Sequence, residues 1–406
     1  MTILLLLLVS AYVAWQYSKT EVDPDWALFN MAAFTGSWYG RDFADCKPPA
    51  IHLWYWAIAK VVGENIQRVR FAHHFVIGAG GSLLAVALTG NFWAGLVFAV
   101  LVNSAWLYAF HGNVGQPPAL LLLVALGVDN PWIAALAMGA ACFFEPKLIA
   151  SLLALVVIKA WYPQAAIYGI IALTFWFILP KEWRTWTWEG SFTIPKLMGK
   201  QRVAKVLYVW TPWFTAETML YILPWLFVAV LLRPDWVYWL PAFLYLIMVG
   251  YSKAMRQNHM LPLAAWIAMA GMPWIAAAAL VAWDFISSGF YAGDIWKRHY
   301  GALWQDNIDA REIGEYLRQQ PGTLWVNDYH TGIYVHARKP CKWHMTEQAE
   351  MNTILVDRRV EFIKTWHDTP PDLIVQGKKC GARFDPAGYR VVAKHKSGKY
   401  EVYRKI

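Results

Sequence analysis

The sequence predicts a polytopic α-helical membrane protein that ends in a small soluble α/β domain. Three observations predict it. Of 406 residues, 58% are hydrophobic and only 16% are charged, whereas soluble domains carry about 25% charge. The 26 tryptophans suit membrane–water interfaces, where the ring is buried and the N–H stays wet. The charges are also unevenly placed, with 31 in residues 1–294 and 32 in residues 295–406. That step divides the chain into a membrane body over 1–294 and a polar domain over 295–406, the latter of a size that folds alone. An ordinary cytosolic globule, a disordered chain and a coiled coil are excluded. The net charge of +9 is assigned to anionic lipid head groups or a phosphate-bearing substrate. No aromatic-basic nucleic-acid module is visible.

The run from Ile3 to Tyr17 is apolar and just long enough to cross a slightly thinned bilayer, since a comfortable span needs about 20 residues. It has no basic leader and no clear small-x-small cleavage site, so it reads as a retained helix. Residues 18–69 form a long first loop. Within it Lys47-Pro48-Pro49 opens an aromatic helix through Lys60, because proline is favoured where its missing N–H would be unpaired anyway. That helix is expected to lie at the membrane surface. Further apolar runs cover 70–89, 91–110, 117–128, 131–145, 147–161, 164–180, 208–232, 235–251 and 260–286. They are continuous rather than alternating and read as nearly free of charges. Lipid cannot satisfy open backbone groups, so these runs are helices. Ten runs conflict with the odd number of spans that a cytoplasmic N-terminus and an extracytoplasmic tail require. One run is therefore two helices, re-entrant or interfacial, and 208–232, with Pro212 and Pro224, is the first candidate. Residues 181–207 place Trp183, Trp186 and Trp188 among lysines and arginines, an interfacial composition.

The tail alternates helices and strands, which predicts a small α/β domain. Asp309 to Gln320 reads as an amphipathic helix ended by Pro321-Gly322. Thr323 to Asn327, Ile333 to His336 and Asp372 to Gln376 read as strands, and Glu347 to Trp366 as a helix. Tyr389 to Val392 and Tyr400 to Tyr403 form a hairpin around Ser397-Gly398.

The cysteines, Cys46, Cys142, Cys341 and Cys380, form no CxxC and no zinc spacing. Cys341 and Cys380 can pair if the tail is extracytoplasmic. His73 and His74 point about 100° apart on a helix and do not easily chelate one ion. No structural zinc is expected. The chemistry gathers in the first loop, where Asp23-Pro24-Asp25 is followed by Asp42, Asp45 and Lys47. Carboxylates at a membrane boundary act as general bases or hold a cation, and lysine or arginine binds a phosphate leaving group. Taken singly, each of these acids is more simply a solvated loop charge.

Pro24-Asp25 after the first apolar helix, Lys47-Pro48-Pro49 before an aromatic helix, and Arg70 at the head of the next helix together resemble the GT-C superfamily. These are integral-membrane glycosyltransferases that use lipid-phosphate-linked sugars, and the protein mannosyltransferase and aminoarabinose transferase branches are similar. The segment Gly139 to Lys147 resembles that group's small-residue helix ending in lysine. The chain departs from the pattern at Asp25-Trp26, where the family often has Asp-Glu, and in His111 to Gln116, which lacks a carboxylate.

The resemblance implies sugar transfer from a polyprenyl-phosphate donor to an extracytoplasmic lipid, protein or glycan acceptor, in an inner membrane of bacterial type. It implies Asp25 as general base, with Asp23, Asp42 and Asp45 as acidic support. It places Lys47 at the donor phosphate, with Lys147 and Arg70 behind it. Trp54, Tyr55 and Trp56 would line the polyprenyl groove or stack on a sugar. No cofactor is implied with certainty, although some branches hold a divalent cation at the acidic loop. A transporter or flippase of lipid-linked sugars is the alternative, and a non-catalytic scaffold the third.

Overall fold

The computed structural model describes residues 2–38, 42–44, 49–104, 115–188, 211–251, 260–288, 292–328, 330–341, 344–345, 368–377 and 386–406. The chain divides into two units. The first comprises Met1–Thr20, Asn65–Leu179 and Gln201–His299, and the second Glu21–Glu64, Pro180–Lys200 and Tyr300–Ile406.

The first unit is helical. Helix α1 spans Thr2–Ser18 and packs on α5, Ile66–Phe75. Asn65 starts α5 by accepting the Arg68 N–H at 3.0 Å. A π-helical turn, Val76–Gly80, joins α5 to α6, Gly81–Thr89, so that Ile66–Thr89 runs on as one helix of 24 residues. By length and composition this helix is able to cross a membrane, and most other apolar helices among the described residues have 10–17 residues. Helix α7, Phe92–Val102, packs against α6. Their close approach needs Gly81, where an added Cβ would lie 2.0 Å from the Phe98 ring.

Farther along, Gln116–Gly127 packs on Pro131–Phe144. The break between them is built by Asn130, whose side chain accepts the N–H groups of Trp132 and Ile133. The helix Tyr162–Ile178 is inside out for a water-soluble protein. Among its side chains only Gln164 is buried, while Ile170, Leu173, Phe175 and Phe177 are exposed.

Three readings of this region need correction. The described part of the run 208–232 is one helix, Thr211–Leu232, that continues through Pro224 rather than two. The run that divides is 260–286, into Leu263–Met269 and Trp274–Ser288, with Gly271 at φ +79° between them. That run also carries a carboxylate: Asp284 is buried and accepts the Ser104 hydroxyl at 2.8 Å.

The second unit contains a four-stranded sheet in the order β2-β4-β6-β5. β2 (Leu324–Asn327) and β4 (Leu373–Gly377) are parallel, with Leu324 opposite Leu373. β6 (Tyr400–Lys405) pairs antiparallel with β4 and with β5 (Tyr389–Lys394), the expected hairpin. Trp325 and Ile374 form one core face with Tyr389 and Tyr403. The expected helix Asp309–Gln320 is longer, Ala292–Arg318, and Gly322 at φ +104° follows it.

Ile333 to His336 is not a strand. It lies in the helix Gly332–Ala337. Its β-branched residues favour a strand, but parallel β2 and β4 require a crossover, and this segment is part of it. Cys341 is a buried thiol; its suggested partner Cys380, and the expected helix Glu347–Trp366, lie outside the described residues.

Residues of the first loop belong to the same unit. Helices α2 (Pro24–Phe29), α3 (Met31–Thr35) and α4 (Pro49–Val62) pack together, and Gly332–Ala337 packs on α2 and α3. A two-residue strand, β1 (Phe43–Ala44), pairs parallel with β3 (His344–Met345).

Gly81→Ala should destabilise the protein by about 1–3 kcal/mol through overpacking against Phe98. Thermal unfolding of the purified protein in detergent checks this; an unchanged midpoint would show that α6 and α7 have room to separate.

Candidate active site

Helix α2 begins at the acidic pair of the first loop. Asp23 is its N-cap: the carboxylate is nearly buried and accepts the Trp26 N–H at 2.8 Å, which satisfies an otherwise orphaned donor. Pro24 and Asp25 occupy the first two helical positions, where proline is pre-organised. Trp26, the departure from the family's Asp-Glu pair, is fully buried. Its ring lies 5.8 Å from Tyr55 and 5.9 Å from Phe34. A large apolar ring at this position fastens α2 to α3 and α4, which a glutamate could not do without an ionic partner.

Helix α4 turns Ile51, His52, Tyr55 and Ala59 inward, the spacing of one helix face. His52 sits between the edges of Phe29 and Phe43, at 5.6 and 5.3 Å. Tyr55 is therefore a core residue, fully buried, rather than a surface for lipid or sugar. Trp54 and Trp56 flank that face and are half-buried. Trp56 lies 5.9 Å from Trp38 and beneath the Lys60 ammonium.

Asp42 closes a turn, accepting the Trp38 N–H at 2.8 Å. Its carbonyl faces the Cys341 thiol at 3.7 Å, and the Cys341 N–H donates to Ser37 Oγ at 2.7 Å. Asp45 and Lys47 lie outside the described residues, as does the side chain of Asp25. Among the described residues, no three His, Cys, Asp or Glu side chains gather into a metal-holding group.

The two remaining cations belong to the first unit, and each has a protein partner. Arg70 is buried, and its guanidinium donates to both the carbonyl and the hydroxyl of Thr20. Lys147 pairs with Glu145 at 2.8 Å, and Glu145 is itself buried. Neither cation has been left solely for a phosphate. The same unit holds a buried polar network that periodicity does not reveal. Tyr17 stacks on His74 at 4.3 Å and donates to the Asn103 carbonyl at 2.8 Å. His73 bonds Gln116 at 2.6 Å, and His74 bonds Asn103 at 3.0 Å.

The tail contributes a second polar cluster, near the carboxyl ends of β2 and β4. The ring of His330 is fully buried and bonds Asn307 at 2.8 Å, while its backbone N–H donates to Asp328 at 3.0 Å. Asp328 lies so close to Gly377 that an added Cβ there would meet its carboxylate at 1.7 Å. Lys399 bridges Asp306 at 2.7 Å and Asp309 at 3.3 Å, and the hydrogen bond to Asp306 raises its pKa. Burial, followed by the positive potential of His336, lowers the His330 pKa from 6.5 to about 3, against the pull of Asp306 and Asp309. The ring is thus neutral at physiological pH. No local pattern in the sequence singles out His330, because its partner Asn307 lies on another element.

No family model matches the chain, and no curated protein matches it in sequence. Among solved structures it is similar to ArnT from Cupriavidus metallidurans bound to undecaprenyl phosphate, with a TM-score of 0.54 and 13% identity. That alignment covers 100% of this chain and 97% of the other. ArnT from the same organism in the apo state is similar at a TM-score of 0.54 and 14% identity, with the same coverage. The fold is therefore that of ArnT. The fold resemblance anticipated from Pro24-Asp25 and Lys47-Pro48-Pro49 extends along the whole chain.

Because the folded pKa of His330 lies below its unfolded value, the unfolded chain takes up the proton first as pH falls. The stability held by neutral His330 is complete above about pH 6.5 and is lost toward pH 3, at about 1.4 kcal/mol per pH unit within that window. Unfolding midpoints of wild type and His330→Gln should therefore converge as pH is lowered from 7 to 4. A wild-type midpoint that falls no faster than the variant's would remove His330 from the linkage.

Proposed function

We propose that this chain is an integral-membrane glycosyltransferase that moves a sugar from a polyprenyl-phosphate-linked donor to an acceptor on the extracytoplasmic side. The observation that carries the reading is the whole-chain fold likeness to ArnT bound to undecaprenyl phosphate. The exposed apolar side chains of Tyr162–Ile178 support a lipid-facing body of several membrane helices. An inner membrane of bacterial type suits the same analogy.

In the proposed reaction the acceptor is a hydroxyl or amine of a lipid, protein or glycan. Asp25 takes its proton as the oxygen or nitrogen attacks the anomeric carbon. The bond from that carbon to the phosphate oxygen breaks, and the polyprenyl phosphate leaves with both electrons. One displacement with one carboxylate inverts the anomeric configuration. Lys47 stabilises the departing phosphate; Lys147, expected to share that task, is paired with Glu145. Arg70 is occupied with Thr20, so its role in the proposal is to hold the end of the first helix. Asp23 and Asp42 serve as a cap and a turn closure around the site, and Asp45 is left to position the acceptor or a divalent cation. Trp54 and Trp56, unlike Tyr55, keep enough exposed surface to meet a lipid or a sugar.

The test is transfer from radiolabelled undecaprenyl-phosphate-linked sugars by the purified full-length protein. Asp25→Asn keeps shape and hydrogen bonding but cannot take a proton at neutral pH, so the rate should fall about 10²–10⁴-fold with normal insertion. Asp23→Asn retains capping ability and should be milder. A wild-type protein that moves the labelled donor across vesicles without transferring sugar would instead be a flippase. If Asp25→Asn stays within a few-fold of wild type, Asp25 is not the base.

Lys47→Ala should raise the donor KM more than it lowers stability, whereas Lys47→Arg should retain part of the activity because the charge survives. Steady-state kinetics over a donor series reads both. An unchanged donor KM in Lys47→Ala would place the phosphate elsewhere.

A further inference from the structure

We infer that Thr331, in the C-terminal tail, is a positioning residue for Asp25: its hydroxyl holds the peptide group on which Asp25 is mounted. The inference rests on the glycosyltransferase reading, in which Asp25 is the base.

Thr331 is buried and precedes the helix Gly332–Ala337 at its N-cap position. A threonine there ordinarily turns its oxygen onto a free N–H of its own helix. Thr331 makes no such cap bond. Its hydroxyl donates instead to the carbonyl of Pro24. That carbonyl belongs to the peptide joining Pro24 to Asp25, so the hydrogen bond fixes the plane from which the Asp25 side chain starts.

The neighbouring residues are arranged to deliver this hydroxyl. Gly332 lies against the His330 ring, where a Cβ would come within 2.8 Å of it, and next to the Val22 carbonyl at 3.9 Å. His330 is held on both sides, by Asn307 through its ring and by Asp328 through its backbone. The helix that supplies Asn307 also supplies Arg311, which pairs with Glu21 at 2.7 Å. The chain entering α2 is thus tied at Glu21 and at Pro24. On its other side α2 is fixed by the Trp26 ring against Tyr55 and Phe34. A helix of six residues has little rigidity of its own, so its direction is set by these attachments. Proton abstraction demands placement to a fraction of an ångström, and a misplacement of about 1 Å costs about a hundredfold in rate.

The experiment uses the full-length protein in detergent with the same labelled undecaprenyl-phosphate-linked sugars. Thr331→Val keeps the volume and removes the donor. It should lower kcat about 10- to 100-fold and leave the donor KM within about twofold, the signature of an interaction needed only in the transition state. Thr331→Ser restores the hydroxyl and should restore most of kcat. A wild-type kcat in Thr331→Val, or a loss that Thr331→Ser shares, would overturn the assignment. Amide hydrogen exchange over residues 21–30 provides an arm that needs no activity. Thr331→Val should accelerate exchange there and leave β2 unchanged; unchanged exchange over 21–30 overturns the clamp. If the wild type transfers no sugar while the exchange result holds, the glycosyltransferase reading fails and the clamp stands. If the wild type transfers sugar and exchange is unaltered, the clamp alone fails.

Discussion

A hydrogen bond that spans 307 residues of sequence, from the Thr331 hydroxyl to the Pro24 carbonyl, expresses the constraint on which the second unit depends. The helices of the first loop are short. Helices α2 and α3 hold six and five residues, far below the length at which an isolated helix persists in water. Their stability comes from burial of Trp26, Phe29 and Phe34 and from attachments to the tail. Arg338 stacks over Phe34 at 4.4 Å, Arg311 pairs with Glu21, and Ser37 accepts from the Cys341 backbone. Contacts this distant in sequence cost loop-closure entropy before they contribute any stability, so the loop and the tail are ordered together.

The first unit meets a different constraint. Its helices bury polar side chains among apolar ones, and such groups are costly unless they are hydrogen-bonded. Tyr17, His73, His74, Asn103 and Gln116 bond to one another and to nearby backbone. The π-turn Val76–Gly80 lies in the same region. An added Cβ at Gly78 would meet the Asn103 amide at 2.7 Å, so this glycine lets the network sit against the helix backbone. Local departures of this kind, a widened turn beside a dense polar cluster, recur where helices must present particular side chains.

The site residues divide according to the work each carboxylate or cation already performs. Asp23 caps a helix, Asp42 closes a turn, Arg70 holds Thr20 and Lys147 holds Glu145. These were indistinguishable in sequence from acids and bases awaiting a substrate, because a motif records spacing and not occupancy. Tyr55 illustrates the same limit. It stands between Trp54 and Trp56 in one aromatic run, yet the helix turn of about 100° per residue sends it into the core while its neighbours flank the surface.

The sequence by itself determined the helical body, the position of the charge step, the β2 and β4 segments and the terminal hairpin. Each is written in local composition: long apolar stretches, buried β-branched strands, and a Ser-Gly turn. It also determined the likeness of fold, through short motifs around Pro24, Lys47 and Arg70. The tertiary structure decided which runs break, since Pro224 is absorbed within a helix while Gly271 at φ +79° interrupts one. It decided that Ile333 to His336 is helical, because a parallel crossover overrides β propensity. It decided, too, that the loop bearing Asp25 shares a unit with the distant tail, Tyr300–Ile406. Periodicity reports only the face a residue turns toward its own neighbours, and the partner on that face is chosen by packing between distant segments.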